Sequence, residues 1–184
     1  MAKKKVFFSY YYEKDGNKVD DIRGMGLVRD IKPASKKEWD NICSKGDEAV
    51  KNWIDTNMKD AETVVVFIGD DTVDVVVDKE KLTDAEIAQI EDTIKRKWII
   101  YEIEKAWNEG KGLLGIYIHN MDGSNYGKTN KGENPFEHFK MNRDGKTLRS
   151  VIKCYDPDPK DAYNCIFEHI EDWISDAKSI RDFY

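Results

Sequence analysis

The sequence predicts an α/β fold: a doubly wound, mostly parallel sheet of about five strands flanked by helices. Three observations carry that expectation. Val6–Tyr10, Thr63–Ile68 and Leu113–Ile118 are apolar runs without polar alternation, as expected of strands covered on both faces. Stretches with apolar residues at helical spacing lie between and after them. Strands alternating with helices imply parallel crossovers, which wind a sheet from both sides.

Taken in order, Val6–Tyr10 is the first strand, and Val19–Arg29 is a weakly amphipathic helix through Val19, Ile22 and Val28. Ser44–Met58 is a stronger helix, with Ala49, Val50, Trp53 and Ile54 on one side. Thr63–Ile68 is the best strand of the chain, β-branched and stopped by Gly69. An acidic, β-branched stretch follows from Asp70 to Asp78, and Thr83-Asp84-Ala85-Glu86 matches a capping box that opens a helix. Ile87, Ile90 and Ile94 point away from the next stripe, Ile99, Ile100, Ile103, Ala106 and Trp107. One straight helix cannot bury both, so a break is expected near Lys95–Trp98, with a second helix running to about Glu109 and stopped by Gly110.

Leu113–Ile118 is the next strand, with His119 and Asn120 where it leaves the sheet. Met121 to Asn134, rich in Gly, Asn and Lys, reads as a long surface loop. Leu148–Tyr155 is expected to form a last strand, and Asp158-Pro159 to start a helix. That helix buries Tyr163, Ile166, Phe167, Ile170, Trp173, Ile174 and Ala177.

A chain of 184 residues suits one α/β domain, 1–184, with a full core. Its formal net charge of −6 argues against non-specific nucleic-acid binding. The Lys3-Lys4-Lys5 start is too short for a polybasic anchor, and the apolar run after it too short for a signal peptide or membrane span. Cys43, Cys154 and Cys165 have no paired or metal-ligand spacing, so a reduced, cytoplasmic protein without a structural metal is expected.

The topology turns into a site. In flavodoxin-like order the first and third strands flank the point where the winding reverses, and ligands bind beyond their carboxyl ends. Those ends are Ser9–Tyr12 and Gly69, and the crossover from Gly69 returns through the helix bearing Glu102. Trp98 and Glu102 are four apart and share a helical face at the margin of the core stripe. Burial there would raise the carboxyl pKa and a helix amino end would lower it. The plainer alternative is a solvated glutamate on a charged helix, beside Glu104 and Lys105.

Tyr10, Tyr11 and Tyr12 after Phe8 and Ser9 could stack on a base or nicotinamide ring, or serve as core and rim packing. Asp15-Gly16-Asn17 is most simply a turn, although Asp15 could reach a ribose hydroxyl. Arg23 and Arg29 could meet phosphate or pair with Asp20 or Asp21, and His119 is at best a cleft wall. Neither a GxGxxG or Walker A cradle nor a GxSxG elbow occurs. A phosphoacceptor receiver domain would need acidic residues where Tyr10-Tyr11-Tyr12 and Ile68-Gly69 stand.

Phe7-Phe8-Ser9-Tyr10, then Thr63–Gly69, then Trp98-x-x-x-Glu102, then Gly115–Asn120 resembles the TIR-like domain of bacterial Thoeris antiphage systems, in order and in spacing. The resemblance covers roughly residues 5–140, with the strand and helix of about 146–180 completing the domain. It implies NAD consumption: cleavage between nicotinamide and ribose, and a cyclic or conjugated ADP-ribose messenger that reaches a separate effector. It implies Glu102 as the catalytic carboxylate, Trp98 as its tryptophan, and Phe8, Ser9 and Tyr10 along the nucleotide pocket. Tyr11, Asp15, Arg23 and Gly69 complete the expected substrate-binding set. NAD is then substrate, with no metal or other cofactor, and the resemblance leaves room for a phage trigger and for self-association. The stretch Asp70–Lys97 is longer than the expected crossover and could cap the pocket. Two other functions fit the same fold: a non-catalytic TIR-like module binding a nucleotide or protein, and a nucleoside deoxyribosyltransferase-like enzyme.

Overall fold

The computed structural model describes residues 3–30, 35–69, 97–119, 121, 131–141 and 145–184. The acidic stretch 70–78, the helix expected from Thr83, Asn120 and most of the 121–134 loop lie outside them, as do all but the last two residues of the expected break at 95–98.

Five strands form one parallel sheet: β1 (Lys5–Ser9), β2 (Arg29–Asp30), β3 (Thr63–Ile68), β4 (Gly112–Tyr117) and β5 (Cys154–Tyr155), in the order β2-β1-β3-β4-β5. The winding reverses between β1 and β3, the point the sequence marks. Register places Ser9 beside Val66, and Val66 beside Gly115. Every residue of β3 and β4 is buried, which explains their uninterrupted apolar runs.

The two faces bury different helices. On one, Phe7, Val64, Val66, Ile68 and Leu113 pack against α3 (Asp47–Met58) and against α4, helical over residues 97–108. Val50, Ile54 and Met58 come from α3, and Trp98, Ile99, Ile103 and Ala106 from α4. Tyr101 donates to Asp55 at 2.8 Å and Lys105 lies 3.2 Å from the same carboxylate, tying α4 to α3. On the opposite face, Val6, Phe8, Val65, Phe67, Leu114 and Ile116 meet α1 (Tyr12–Gly24) and α5 (Ala162–Phe183). The sheet is therefore doubly wound, as expected.

Several boundaries differ from the sequence expectation. The first helix starts at Tyr12 and ends at Gly24, where Val19–Arg29 was expected. Asp15-Gly16-Asn17 is inside it rather than in a turn, because Asp15 and Lys18 are buried together on the face that also carries Val19 and Ile22. Arg29 belongs to β2, a two-residue strand with no apolar pattern to announce it. A separate helix, α2 (Lys36–Cys43), precedes α3, and Gly46, at φ +94°, caps α3 where a side chain would be strained.

The last strand is only Cys154–Tyr155; Leu148–Ser150 forms a 3₁₀ turn instead. α5 begins at Ala162 rather than at Pro159. Its buried line is Ala162, Ile166, Ile170, Ile174 and Ala177, and Phe167, one residue off that line, is 52% exposed. Among the described residues no helix is long and apolar enough to cross a membrane.

Candidate functional site

The carboxyl edge of β1 and β3 carries a buried acid. Glu102 belongs to the inward face of α4, between Trp98 and Ala106 at successive turns, so the residues that glue α4 to the sheet also fix its carboxyl. It is 6% exposed. Ser9, the last residue of β1 and 1% exposed, donates its hydroxyl to Glu102 Oε2 at 2.5 Å. The two side chains meet because Ser9 shares the α4 face of β1 with Phe7.

Burial pushes the Glu102 carboxyl from its ordinary 4.5 up to about 8, while the Ser9 hydrogen bond opposes the rise. Desolvation therefore outweighs the hydrogen bond. A carboxylic acid held neutral near pH 7 becomes a charge only when a cation arrives to stabilise it, or when the pH rises. That is the behaviour of a group poised for acid–base or electrostatic chemistry.

The remaining residues expected at the site divide into two groups. Tyr11 and Trp98 are buried on the same side of the sheet as Glu102, and Ile68 belongs to the same cluster. Trp98 stands edge-to-face with Tyr101, ring centroids 6.1 Å apart, and Lys97 Nζ lies 4.8 Å from its ring centroid. Gly69 follows β3 with the Asp15 carboxylate packed against it: a Cβ on Gly69 would stand 2.7 Å from Asp15 Oδ2. Asp15 is buried and Lys18 Nζ lies 3.7 Å from it, so a charged pair sits where α1 meets the end of β3.

Phe8, Tyr10 and Arg23 gather elsewhere. Phe8 points to the opposite face of the sheet, edge-to-face with Phe67 at 5.0 Å. The Arg23 guanidinium is 5.6 Å from the Phe8 ring and 5.9 Å from that of Tyr10. It is ion-paired with both Asp20 and Asp30. Tyr10 in turn stacks on Tyr12 at 6.0 Å, and burial pushes its phenol up. The three consecutive tyrosines thus part company: Tyr11 enters the Glu102 face, and Tyr10 and Tyr12 form a rim over Arg23.

Further along the same edge, Asn134 is buried and donates to the Tyr117 hydroxyl and to Cys154 Sγ, each at 3.2 Å. Its own Oδ1 accepts from Phe136 N at 3.0 Å, capping the 3₁₀ turn Pro135–His138. His119 is buried edge-to-face against Tyr117, ring centroids 6.1 Å apart. Asn134 was not expected here, because it ends a Gly/Asn/Lys-rich stretch that reads as surface. The one sequence signal for it is Asn before Pro135, a capping pair. Among the described residues no three His, Cys, Asp or Glu side chains come together as a metal site.

A family model described as Thoeris protein ThsB, TIR-like domain, matches residues 7–90 and 90–122 of this chain. The matched segments include the end of β1 and all of β3, α4 and β4, hence both Ser9 and Glu102, and they run through the stretch between β3 and α4. A Bacillus cereus (strain MSX-D12) protein named "Putative cyclic ADP-D-ribose synthase ThsB1" is 26% identical over 153 residues, covering 79% of this chain and 68% of its own length. The strand order and the family match agree, and the chain belongs to the ThsB family of TIR-like Thoeris proteins.

Proposed function

We propose that this protein is an NAD-cleaving TIR-like enzyme that releases nicotinamide and makes a cyclic or conjugated ADP-ribose signal in antiphage defence. The observation that carries the reading is the Ser9–Glu102 pair: a desolvated carboxyl held by a rigid strand where the winding reverses. The name of the Bacillus cereus relative supports the class of product.

In this reaction the bond between ribose C1′ and the nicotinamide nitrogen breaks, and its electron pair leaves with neutral nicotinamide. Positive charge develops on the ribose, and a carboxylate beside it lowers the barrier most when it is preorganised and dry. Glu102 fills that role: the cationic nicotinamide ring, and the charge that passes to the ribose, draw the carboxyl into its charged form, against the burial that keeps it neutral in the empty site. C1′ then takes a nucleophilic oxygen or nitrogen, from the same molecule or another, and that nucleophile loses its proton. Exclusion of water favours such transfer over hydrolysis.

Tyr11, Trp98 and Gly69 line the Glu102 side of the edge in this assignment, with Asp15 behind Gly69. Phe8, Tyr10 and Arg23 form a second cluster that meets at most the far end of the dinucleotide. An NAD substrate and three free cysteines agree with action in the cytoplasm, and the messenger would act on a separate effector. A phage trigger and self-association belong to this reading as well.

One observation favours a second reading, a non-catalytic nucleotide- or protein-binding module: a carboxyl titrating at about 8 is also a good neutral hydrogen-bonding group. Chromatography of NAD incubated with the protein, beside Glu102→Gln and at low and high protein concentration, separates the two. Nicotinamide release by the parent alone supports the enzyme, and the mass of the co-product distinguishes hydrolysis from cyclisation. Equal release by both removes Glu102 from the mechanism. Release by neither, with phage lysate added, favours the binding module.

A further inference from the structure

We propose that Ser9 is a positioning residue for Glu102 rather than a substrate contact: it fixes one carboxyl oxygen and leaves the other to face the ribose. The inference rests on the reading of Glu102 as the reacting carboxylate. Ser9 closes β1 and is paired with Val66 of β3, so its backbone has little freedom to follow a ligand. Its side chain is 1% exposed and its single proton is donated to Glu102 Oε2 at 2.5 Å. A hydroxyl so committed can donate to the substrate only by releasing the carboxyl. Glu102 for its part is anchored through α4 by Ile99, Ile103 and Ala106, so the pair is held from both elements.

Among the described residues, the neighbouring titratable groups leave this hydrogen bond as the main local influence on the acid. On α4 itself, Lys97 pairs with Asp47 at 2.6 Å, and Tyr101 and Lys105 are engaged with Asp55 on α3. On α1, Asp15 and Lys18 face each other beside Gly69. At the end of β4, His119 faces Tyr117, whose hydroxyl accepts from Asn134. Tyr11 contributes its ring to the shared core. Apart from burial, the Ser9 hydrogen bond is what moves the Glu102 carboxyl, and it moves it down.

Ser9→Ala tests the assignment. The expected result is a fall in kcat of roughly 10- to 100-fold at pH 7, the size of a lost hydrogen bond to a charged group, with KM for NAD little changed. The ascending limb of activity against pH should move to higher pH, so that alkaline buffer recovers part of the lost rate. Ser9→Cys, of similar size but a weaker donor, should move the limb less and in the same direction. A raised KM with kcat intact would make Ser9 a substrate contact and overturn the proposal. So would a fall in kcat with the limb unmoved.

Infrared titration of the protonated carboxyl in the substrate-free protein, assigned by its loss in Glu102→Gln, reads the same effect without turnover. An upward displacement in Ser9→Ala supports the positioning role, and an unchanged titration overturns it. If the parent releases no nicotinamide even with phage lysate added, the NAD reading falls while this titration still decides the part played by Ser9.

Discussion

At the scale of single residues, the decisive facts are two buried carboxyls treated differently. Glu102 has a neutral hydroxyl for company and is pushed up to about 8, whereas Asp15 has a lysine 3.7 Å away. The sequence marks Glu102 through its spacing from Trp98 on an apolar stripe. It marks Asp15 as a turn residue within reach of a ribose and not as half of a buried pair, because an aspartate before Gly16 satisfies turn chemistry equally well. Gly69 reports on that pair. Its need for glycine lies in contact, not in backbone conformation: a Cβ would lie 2.7 and 2.8 Å from the two Asp15 carboxylate oxygens. Gly69→Ala should therefore cost about 1–3 kcal/mol, read as a lower denaturant midpoint at unchanged slope. In an Asp15→Ala background much of that cost should vanish, giving a coupling energy above about 0.5 kcal/mol. Additive losses would mean that Asp15 is not what fills the space.

At the scale of elements, legibility followed the amount of apolar surface each one buries. β3, β4 and the buried line of α5 were readable because their core positions form uninterrupted runs or a repeat of four- and three-residue steps. β2 and β5 have two residues each and owe their existence to the strands beside them, which no local pattern can reveal. α1 was misplaced by seven residues at its start, Val19 against Tyr12, because its first two turns bury a charged pair in place of apolar side chains. α2 buries none of its residues completely and, at eight residues, carries only the short stripe Trp39, Ile42 and Cys43, yet its start is well made. Ser35 and Glu38 exchange side-chain-to-backbone hydrogen bonds in a capping box. Ser35→Ala should lower stability by about 1 kcal/mol, measured by thermal unfolding, and leave any nicotinamide release unchanged, since Ser35 is exposed and its hydrogen bonds with Glu38 are local to the first turn of α2. A loss of turnover at full stability would tie α2 to the site.

For the whole molecule, the order β2-β1-β3-β4-β5 does more than fix the fold: it brings a serine from residue 9 and a glutamate from residue 102 into contact inside the core. That contact follows from topology and from the helical stripe together, which is why the edge could be located from sequence while the hydrogen bond could not. It also imposes a cost on the folded state that the sign of the pKa shift makes explicit. The Glu102 carboxyl titrates near 4.5 when unfolded and at about 8 when folded, so between those values the native state holds a proton that the unfolded chain has lost. Stability must then fall as pH rises through this window, by at most about 1.4 kcal/mol per pH unit from this group. Below the window both states are protonated and the penalty is absent; above it the penalty is complete. Glu102→Gln removes the titration and keeps the shape. Its stability advantage over the parent should grow from near zero at pH 4.5 to about 2 kcal/mol or more at pH 8, allowing for relaxation around a buried charge. Denaturant unfolding of both proteins across that range checks it, and parallel curves would show that Glu102 is ionised at neutral pH without cost. The same variant should lose nicotinamide release, so the acid that weakens the fold is the one the proposed chemistry requires.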